Sequence, residues 1–483
     1  MEVDMIATTQ LETLPVAVIG AGPVGLAAAA YLIRRGIPVR IYEAGATVAA
    51  SVREWGHVRT FSPWRYSVDS AARALLDKAG WRAPDPNVLP TGADLYEHYL
   101  KPLAALPEMA AVLETGSMVI SVTRQGIDKV SSKGRASRPF VLDVSHSRGI
   151  RRDLARAVID ASGTWTDQNP LGAGGILADG EAEYAERISY GIPDVLGRNQ
   201  ASFAGRKILV VGAGYSAANI LLDLAKLADA EPETSITWVV RGTDLVRVYG
   251  GADADQLPAR GALGADVKAL VDSARVALVT GFATTAVREE AGGLMLEGDT
   301  AAGPRRLGPL DRIVAATGQR PDLGLTRELR IELDPWLESA RALGPLIDPN
   351  VHSCGSVPPH GHRELSHPEP NFYTIGVKSY GRAPTFLLLT GYEQARSVAA
   401  AISGDLAAAD NVQLVLPETG VCSGPPVEPE AGAGCCGGPP PKGVEACCRA
   451  DADAKASGEG GCGCASPKVA PARQASCCGA AAA

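Results

Sequence analysis

Pro15-Val-Ala-Val-Ile-Gly20-Ala-Gly22-Pro-Val-Gly25-Leu, continued by Ala27-Ala-Ala-Ala-Tyr-Leu-Ile-Arg-Arg-Gly36-Ile-Pro-Val-Arg-Ile-Tyr-Glu43, is the stretch on which the fold turns. Val16 to Ile19 is a short apolar run suited to a strand buried on both faces. Gly20, Gly22 and Gly25 follow it directly as G-x-G-x-x-G. Leu26 to Arg35 reads as a helix stopped at Gly36, and Val39 to Tyr42 as the next strand, with Glu43 at its end. Each glycine has a separate task. Gly20 permits the tight turn, Gly22 lets backbone approach a pyrophosphate, and Gly25 lets the helix pack close to the sheet. The helix N-terminus offers free N–H groups to phosphate oxygens, and Glu43 can accept hydrogen bonds from a ribose diol. Strand, glycines, helix, strand and acid in this order predict a dinucleotide site.

Working outward, the 483 residues suffice for two or three domains. A formal charge of -8 gives no basic footprint and speaks against nucleic acid as a partner. Met1 to Leu14 lacks a basic-then-apolar leader pattern, and no apolar run reaches the length of a membrane span, so the expectation is a cytoplasmic protein without a membrane partner. Nine of the ten cysteines lie after residue 420, and only Cys354 falls in the body. That placement excludes a disulfide framework for the folded part.

Lys207-Ile-Leu-Val-Val-Gly212-Ala-Gly214-Tyr-Ser216-Ala217 repeats the opening design. Ile208 to Val211 is the strand, Ala218 to Ala228 the helix, and alanine is an accepted third-position variant. The next strand, Ile236 to Val240, ends in Arg241 and not in an acid, which suits the 2′-phosphate of NADPH better than the bare ribose of NADH. Two further apolar strands end alike, Asp160-Ala-Ser-Gly163 after the first copy and Ala315-Ala-Thr-Gly318 after the second. Two dinucleotide cradles in one chain point to a bound flavin, FAD, and its hydride donor. The fold expected is α/β: two Rossmann-like dinucleotide-binding domains, the NADPH domain inserted in the FAD domain, plus a disordered cysteine-rich C-terminal tail. The boundaries are 1–170 and 341–410 for the FAD domain, 171–340 for the inserted domain and 411–483 for the tail.

Between these landmarks, the segment after Glu43 reads as a loop covering the flavin ring, with Trp55 and Phe61 as apolar walls, or alternatively as aromatics packing a core under a surface loop. Residues 70–105 read as helical with a break at Pro84 to Pro90; Met118 to Val122 and Phe140 to Val144 as strands of a meander; and 166–200 as a connection between domains. Asn371 to Gly376 reads as a strand ending in glycine, and Tyr392 to Ile402 as a last helix whose N-terminus faces the flavin. Cys354 is the candidate catalytic thiol of the body. His352, His360, His362 and His367 flank it, either as metal ligands or as solvated loop residues.

These residues resemble the flavoproteins with two dinucleotide-binding domains, most closely the flavin-containing monooxygenase group, over about residues 15–405. The likeness rests on Gly20 to Gly25, Glu43, Trp55-Gly56, Ala161-Ser-Gly163, Gly212 to Ala217, Arg241 and Ala316-Thr-Gly318, with Phe203 to Lys207 as a degenerate form of that group's fingerprint. The fingerprint histidine is missing, since Ile188-Ser-Tyr-Gly-Ile-Pro-Asp194 stands in its region. An acid expected straight after Gly376 is replaced by Val377 and Lys378. The resemblance implies that NADPH reduces FAD and that reduced flavin passes one atom of oxygen to a soft nucleophile on a small-molecule substrate.

From about Pro417 the composition shifts to Gly, Pro, Ala and Ser, too poor in apolar groups to fold alone. This tail carries Cys422, Cys435-Cys436, Cys447-Cys448, Cys462-Gly-Cys464 and Cys477-Cys478. Adjacent thiols suit soft thiophilic ions, on which two or three thiolates converge. The tail, together with Lys378 to Phe386 and Gly391 to Gln394, also resembles flavoproteins associated with arsenic resistance, which implies arsenite or a related species as partner. Two other readings stay open: a metalloid or disulfide reductase using Cys354 or the tail thiols, and a metalloid-binding or sensing protein with a vestigial flavin fold. Monomer and homodimer are equally compatible with the sequence.

Overall fold

The computed structural model describes residues 11–249, 258–352, 357–414 and 449–457. Cys354 and all nine tail cysteines, and hence every thiol reading, lie outside the described residues. The chain divides into two units, Met1–Gly424 and Pro425–Ala483.

The first unit holds two parallel sheets of five strands each, and each carries one glycine motif. In the first, β1 (Val16–Ile19), β2 (Val39–Tyr42), β3 (Leu113–Glu114), β7 (Ala157–Asp160) and β16 (Phe372–Thr374) lie in the order β16-β7-β1-β2-β3. β4 (Met118–Arg124), β5 (Phe140–His146) and β6 (Gly149–Ala155) form an antiparallel meander. The second sheet, in the order β11-β10-β9-β15-β8, is built from β8 (Ile188–Tyr190), β9 (Lys207–Val211), β10 (Ser235–Val239), β11 (Ala277–Val279) and β15 (Arg312–Ala315). A second meander, β12 (Ala283–Glu290), β13 (Gly293–Thr300) and β14 (Gly303–Leu310), precedes β15.

Period-2 alternation explains why both cradle strands read as continuous apolar runs. Val16 and Val18 point to the helical layer, with Leu26 and Leu32. Ala17 and Ile19 point to the meander, with Val122, Phe140 and Leu142. In the second domain Ile208 and Val210 face Ile220, Leu221 and Leu224 of a helix, while Leu209 and Val211 face Val287, Leu294 and Leu296 of its meander. Each parallel sheet is therefore covered on both faces, by helices on one and by a meander on the other.

Several expectations change in detail. The segment after Glu43 is not all loop: Ala50–Glu54 is a short helix entered through left-handed Ala49. The stretch 166–200 contributes β8, an edge strand of the second sheet, and is more than a connection. Leu325 and Leu329 pack with Val119 and Phe140, and Leu337 and Ala340 with the helical core of the first domain. Residues 325–340 thus pack in the first domain, earlier than the expected return at 341. The last helix starts at Leu388, four residues sooner than expected. Gly391 lies in the added turn. A Cβ there would lie 2.6 Å from the Val24 side chain, so its absence lets this helix cross the first cradle helix closely. In the tail, expected to be without structure, Arg449–Ala456 is an α-helix. Its alternating alanines and charges, free of Gly and Pro, carry the helix propensity that the flanking stretches lack.

Candidate functional site: two glycine cradles joined at their strand ends

In the first cradle β1 ends at Gly20, whose φ of 95° lies in the left-handed region. A Cβ on Gly20 would sit 2.6 Å from the Ala161 carbonyl oxygen, and one on Gly25 would sit 2.0 Å from the Gly20 oxygen. Both positions therefore need glycine for close backbone approach. At Gly22 a Cβ would meet nothing within 4 Å. That open side faces the start of the Pro23–Arg34 helix. Gly22 is its N-cap and brings no side-chain acceptor, and Pro23 removes one N–H that would otherwise be orphaned. The helix end is thus left to an outside acceptor, and the arrangement fits a pyrophosphate.

Glu43 closes this cradle from β2. Its Oε2 accepts from the Ala21 N–H (2.9 Å) and its Oε1 from the Gly45 N–H (2.8 Å). Burial pushes the carboxyl upward from its ordinary range, while the Gly45 and Ala21 N–H groups pull the other way. Each oxygen keeps a second lone pair for a ribose hydroxyl. Holding the glycine turn is a task of Glu43 that the sequence did not reveal.

The second cradle copies this geometry with different closure. Gly212 has φ 139°, and a Cβ there would lie 2.1 Å from the Ala316 oxygen. Gly214 is the N-cap of the Tyr215–Ala230 helix, again without a side-chain cap and again with open space at its Cβ position. Ser216 and Ala217 lie in the first turn, and Ala217 is fully buried without a clash. Arg241 is exposed and donates from Nη1 to the Ala173 oxygen at 2.8 Å. The buried Trp238 of β10 donates from Nε1 to the Gly212 oxygen at 2.7 Å, so a neutral indole, not a carboxylate, holds this glycine turn.

The two strand-end turns meet. Gly163 (φ 76°) and Gly318 (φ 85°) both occupy the left-handed region. Thr164 Oγ1 donates to Gln319 Oε1 at 3.0 Å, Thr317 Oγ1 donates to the Asn169 oxygen at 2.6 Å, and the Asn169 N–H donates to the Gly318 oxygen. The Phe61 ring lies 5.4 Å from that of Tyr215, the first residue of the second cradle helix. Trp55 packs its ring against Gly92, where a Cβ would be 2.5 Å away. Of the two expected flavin walls, then, Trp55 borders the first-domain core and Phe61 reaches the second cradle.

The turn after β16 completes the first edge. Gly376 (φ 74°) donates its N–H to Gln394 Oε1 at 2.8 Å, and Gln394 Nε2 also reaches Ser379 Oγ and His360 Nε2. His360 Nδ1 lies 3.0 Å from the Pro358 oxygen, so it carries the proton and Nε2 accepts from Gln394. Lys378 turns inward to Asp160 and Ser162. The histidines do not converge: His352 bonds the Pro345 oxygen, His362 bonds Asp410, and His367 accepts the Glu332 N–H. Among the described residues no group of three or more His, Cys, Asp or Glu is arranged to hold a metal. No helix among them is long and apolar enough to cross a membrane. Gly391 and Gln394 fall in a stretch singled out by resemblance, but their roles in building the site were not read from the sequence.

Residues 18–82 match the family model of NAD(P)-binding Rossmann-like domains, and residues 186–249 match that of L-lysine 6-monooxygenase/L-ornithine 5-monooxygenase. No curated protein matches the chain. Three solved structures show the likeness of fold. The bacillithiol disulfide reductase of Bacillus cereus is 16% identical with a TM-score of 0.59, over 81% of this chain and 99% of that one. A cadaverine monooxygenase of desferrioxamine biosynthesis from Erwinia amylovora is 14% identical with a TM-score of 0.58, over 85% and 99%. The ornithine hydroxylase of Pseudomonas aeruginosa is 15% identical with a TM-score of 0.55, over 81% and 99%. The chain therefore carries the two-sheet α/β fold shared by FAD- and NAD(P)H-dependent flavoprotein monooxygenases and reductases, with a Rossmann-like NAD(P)-binding segment at its first cradle and a lysine/ornithine monooxygenase segment at its second.

Proposed function

We propose that this protein is an FAD- and NADPH-dependent oxidoreductase of monooxygenase type acting on a soft nucleophile. The observation that carries this reading is the junction of the two cradles. Two pyrophosphate-shaped helix ends sit on sheets whose strand-end turns are hydrogen-bonded to each other through Thr164, Gln319, Asn169 and Thr317. A chain that binds one nucleotide needs one such end. Two, joined at their C-terminal edges, suit hydride passage from one nucleotide to the other.

In this reading the Gly20–Gly25 turn and the Pro23–Arg34 helix end hold the FAD pyrophosphate, with Glu43 at the ribose. Gly163, Gly376 and the Trp55 segment border the rest of that ligand. Gly212, Gly214, Ser216 and Ala217 hold the NADPH pyrophosphate, and Arg241 meets its 2′-phosphate. Bound FAD supplies the hydride acceptor and the site at which oxygen is activated. The overall reaction balances as substrate, O2, NADPH and a proton going to oxygenated substrate, NADP+ and water. The chain's own share is to orient the two nucleotides, exclude water at the Thr164–Gln319 junction and tune charge around the first cradle.

The substrate we assign is a metalloid species, arsenite or an organoarsenical. The support is the run of adjacent tail cysteines, Cys435-Cys436, Cys447-Cys448, Cys462, Cys464 and Cys477-Cys478, whose thiolates suit a soft centre. The tail would capture the metalloid and raise its local concentration near the flavin. A reductase working through Cys354 is the second reading, favoured by the fold likeness to the bacillithiol disulfide reductase.

Anaerobic and aerobic NADPH oxidation, with arsenite and with organoarsenicals, separates the two. Oxygenated product formed only in air is the result expected. Turnover without oxygen overturns the monooxygenase reading in favour of the reductase. Removing residues 417–483 is expected to raise the metalloid concentration needed for half-maximal turnover, and an unchanged concentration removes the tail from the reaction.

A further inference from the structure

Where the first sheet ends, one cation is buried beside the cradle. Lys378 is 4% exposed, and its Nζ lies 2.7 Å from Asp160 Oδ2, on a residue with no exposure at all. The same ammonium donates to Ser162 Oγ at 3.0 Å. Ser162 in turn donates to Asp160 Oδ1 from its hydroxyl (2.7 Å) and its backbone N–H (3.1 Å). This cluster staples the end of β7 to the turn after β16. It also abuts the cradle, because the Ala161 oxygen and Ser162 Cα are the atoms that a Cβ on Gly20 would strike. The next residue back, Val377, faces the opposite way. It is 38% exposed and lies 3.9 Å from where a Gly163 Cβ would be.

A buried ion pair is weak evidence for stability, since well-packed apolar residues commonly do as well. Two other buried charge clusters of the first domain are structural: Glu369 with Arg124 and Arg135 ties the meander to the 330 loop, and Glu393 with Arg396 lies within one helix. Asp160 and Lys378 instead sit at the ligand-binding edge of a parallel sheet. A charge in low dielectric there acts strongly on any charge that develops nearby.

Resting on the flavin reading above, we propose that Asp160 and Lys378 are positioning residues that set the reduction potential of the cofactor at the first cradle. Lys378 supplies positive charge and Asp160 cancels it. A reduced cofactor carries more negative charge than an oxidised one, so an uncompensated ammonium favours reduction and an uncompensated carboxylate opposes it.

The test is spectroelectrochemical titration of the FAD-loaded full chain at pH 8. Asp160→Asn is expected to raise the equilibrium ratio of reduced to oxidised cofactor about tenfold, which is about 30 mV for a two-electron couple. Lys378→Met is expected to lower it by a similar factor. The double variant D160N/K378M should return to within threefold of the parent, and Ser162→Ala, which keeps both charges, should stay within twofold. Opposite signs for the two single variants are a result that a merely mechanical brace does not produce. If one single variant does not fold, the other single and the double variant still give the sign. Single variants that both move the same way, or that stay within twofold while binding FAD normally, overturn the proposal. A parent chain that takes up no FAD overturns the flavin reading, and this inference with it.

Discussion

The two cradles share a glycine pattern and differ in what closes them. Glu43 is buried and bonded to the Ala21 and Gly45 N–H groups, so the first cradle is shut by an acid held in the core. In the second, the buried Trp238 indole holds the Gly212 carbonyl, and the charged residue at the strand end, Arg241, is exposed and donates to the Ala173 carbonyl. The same contrast runs through the domains. The first buries Asp160 with Lys378, and Glu369 with Arg124 and Arg135. In the second, the ion pairs of Arg306 with Glu297 and of Lys226 with Asp223 lie at the surface. Its buried Glu181 is satisfied by the Leu171 and Ala178 N–H groups and the Tyr190 hydroxyl.

The largest effect that would break this contrast is at Glu369. Burial pushes its carboxyl up, but hydrogen bonds from Arg135, the Arg330 N–H and Arg124 outweigh that and hold it below the usual carboxylate range. Glu369→Ala leaves two buried guanidinium groups without their partner. It is expected to cost about 3–5 kcal/mol in chemical denaturation. Arg306→Ala in the second domain should leave the denaturation midpoint unmoved. Equal losses in the two variants would erase the distinction between the domains.

Next is the third glycine position. Gly25→Ala must displace the Gly20 carbonyl and is expected to cost about 1–3 kcal/mol by overpacking, with loss of FAD from the purified protein. Ala217→Gly adds no clash and should cost about 1 kcal/mol through helix propensity alone. Thermal unfolding with and without added FAD checks both. Retained FAD in the Gly25 variant would place the pyrophosphate elsewhere.

Arg241→Ala is expected to raise the KM for NADPH about tenfold, or about 1.4 kcal/mol, the scale of one charge-assisted hydrogen bond, while leaving the KM for NADH within twofold. Equal loss for both nucleotides would remove Arg241 from recognition of the 2′-phosphate.

The smallest effect is in pH. All seven histidines of the chain lie outside residues 171–340, although His57 faces Ile192 and Asp194 of the second domain. Burial holds His360 and His367 below the ordinary histidine value of 6.5. Their folded-state affinity for protons is therefore lower than that of the unfolded chain. The stability they contribute is present above pH 6.5 and is lost as pH falls below it, because the unfolded chain takes up protons first. Tm is expected to fall between pH 7.5 and 5.5, and to fall less in His360→Gln. An unchanged slope in that variant would exclude His360 as a source.

Much of the site was legible from spacing. A glycine between a buried strand and a helix has few structural uses, and three at this interval, followed by a strand ending in Glu43, leave one. The second meander and the edge strand β8 were less legible than the first meander, whose strands at Met118 and Phe140 were read from the sequence. Short half-buried strands such as Ile188–Tyr190 carry too few residues for a period-2 pattern to stand out from a loop. The inward turn of Lys378 could not be read at all. Its sequence position marked it as a departure at a cofactor turn, but a lysine there is as compatible with solvent as with a buried carboxylate.

Local sequence by itself determined the two cradles, their strand–glycine–helix order and the choice of Glu43 against Arg241, because backbone sterics and helix-end chemistry act over a few neighbouring residues. Tertiary structure decided what lies between them. The meeting of Thr164 with Gln319, the crossing of Gly391 with Val24 and the pairing of Asp160 with Lys378 join residues far apart in the chain. Such contacts depend on how layers pack, and no local pattern encodes them.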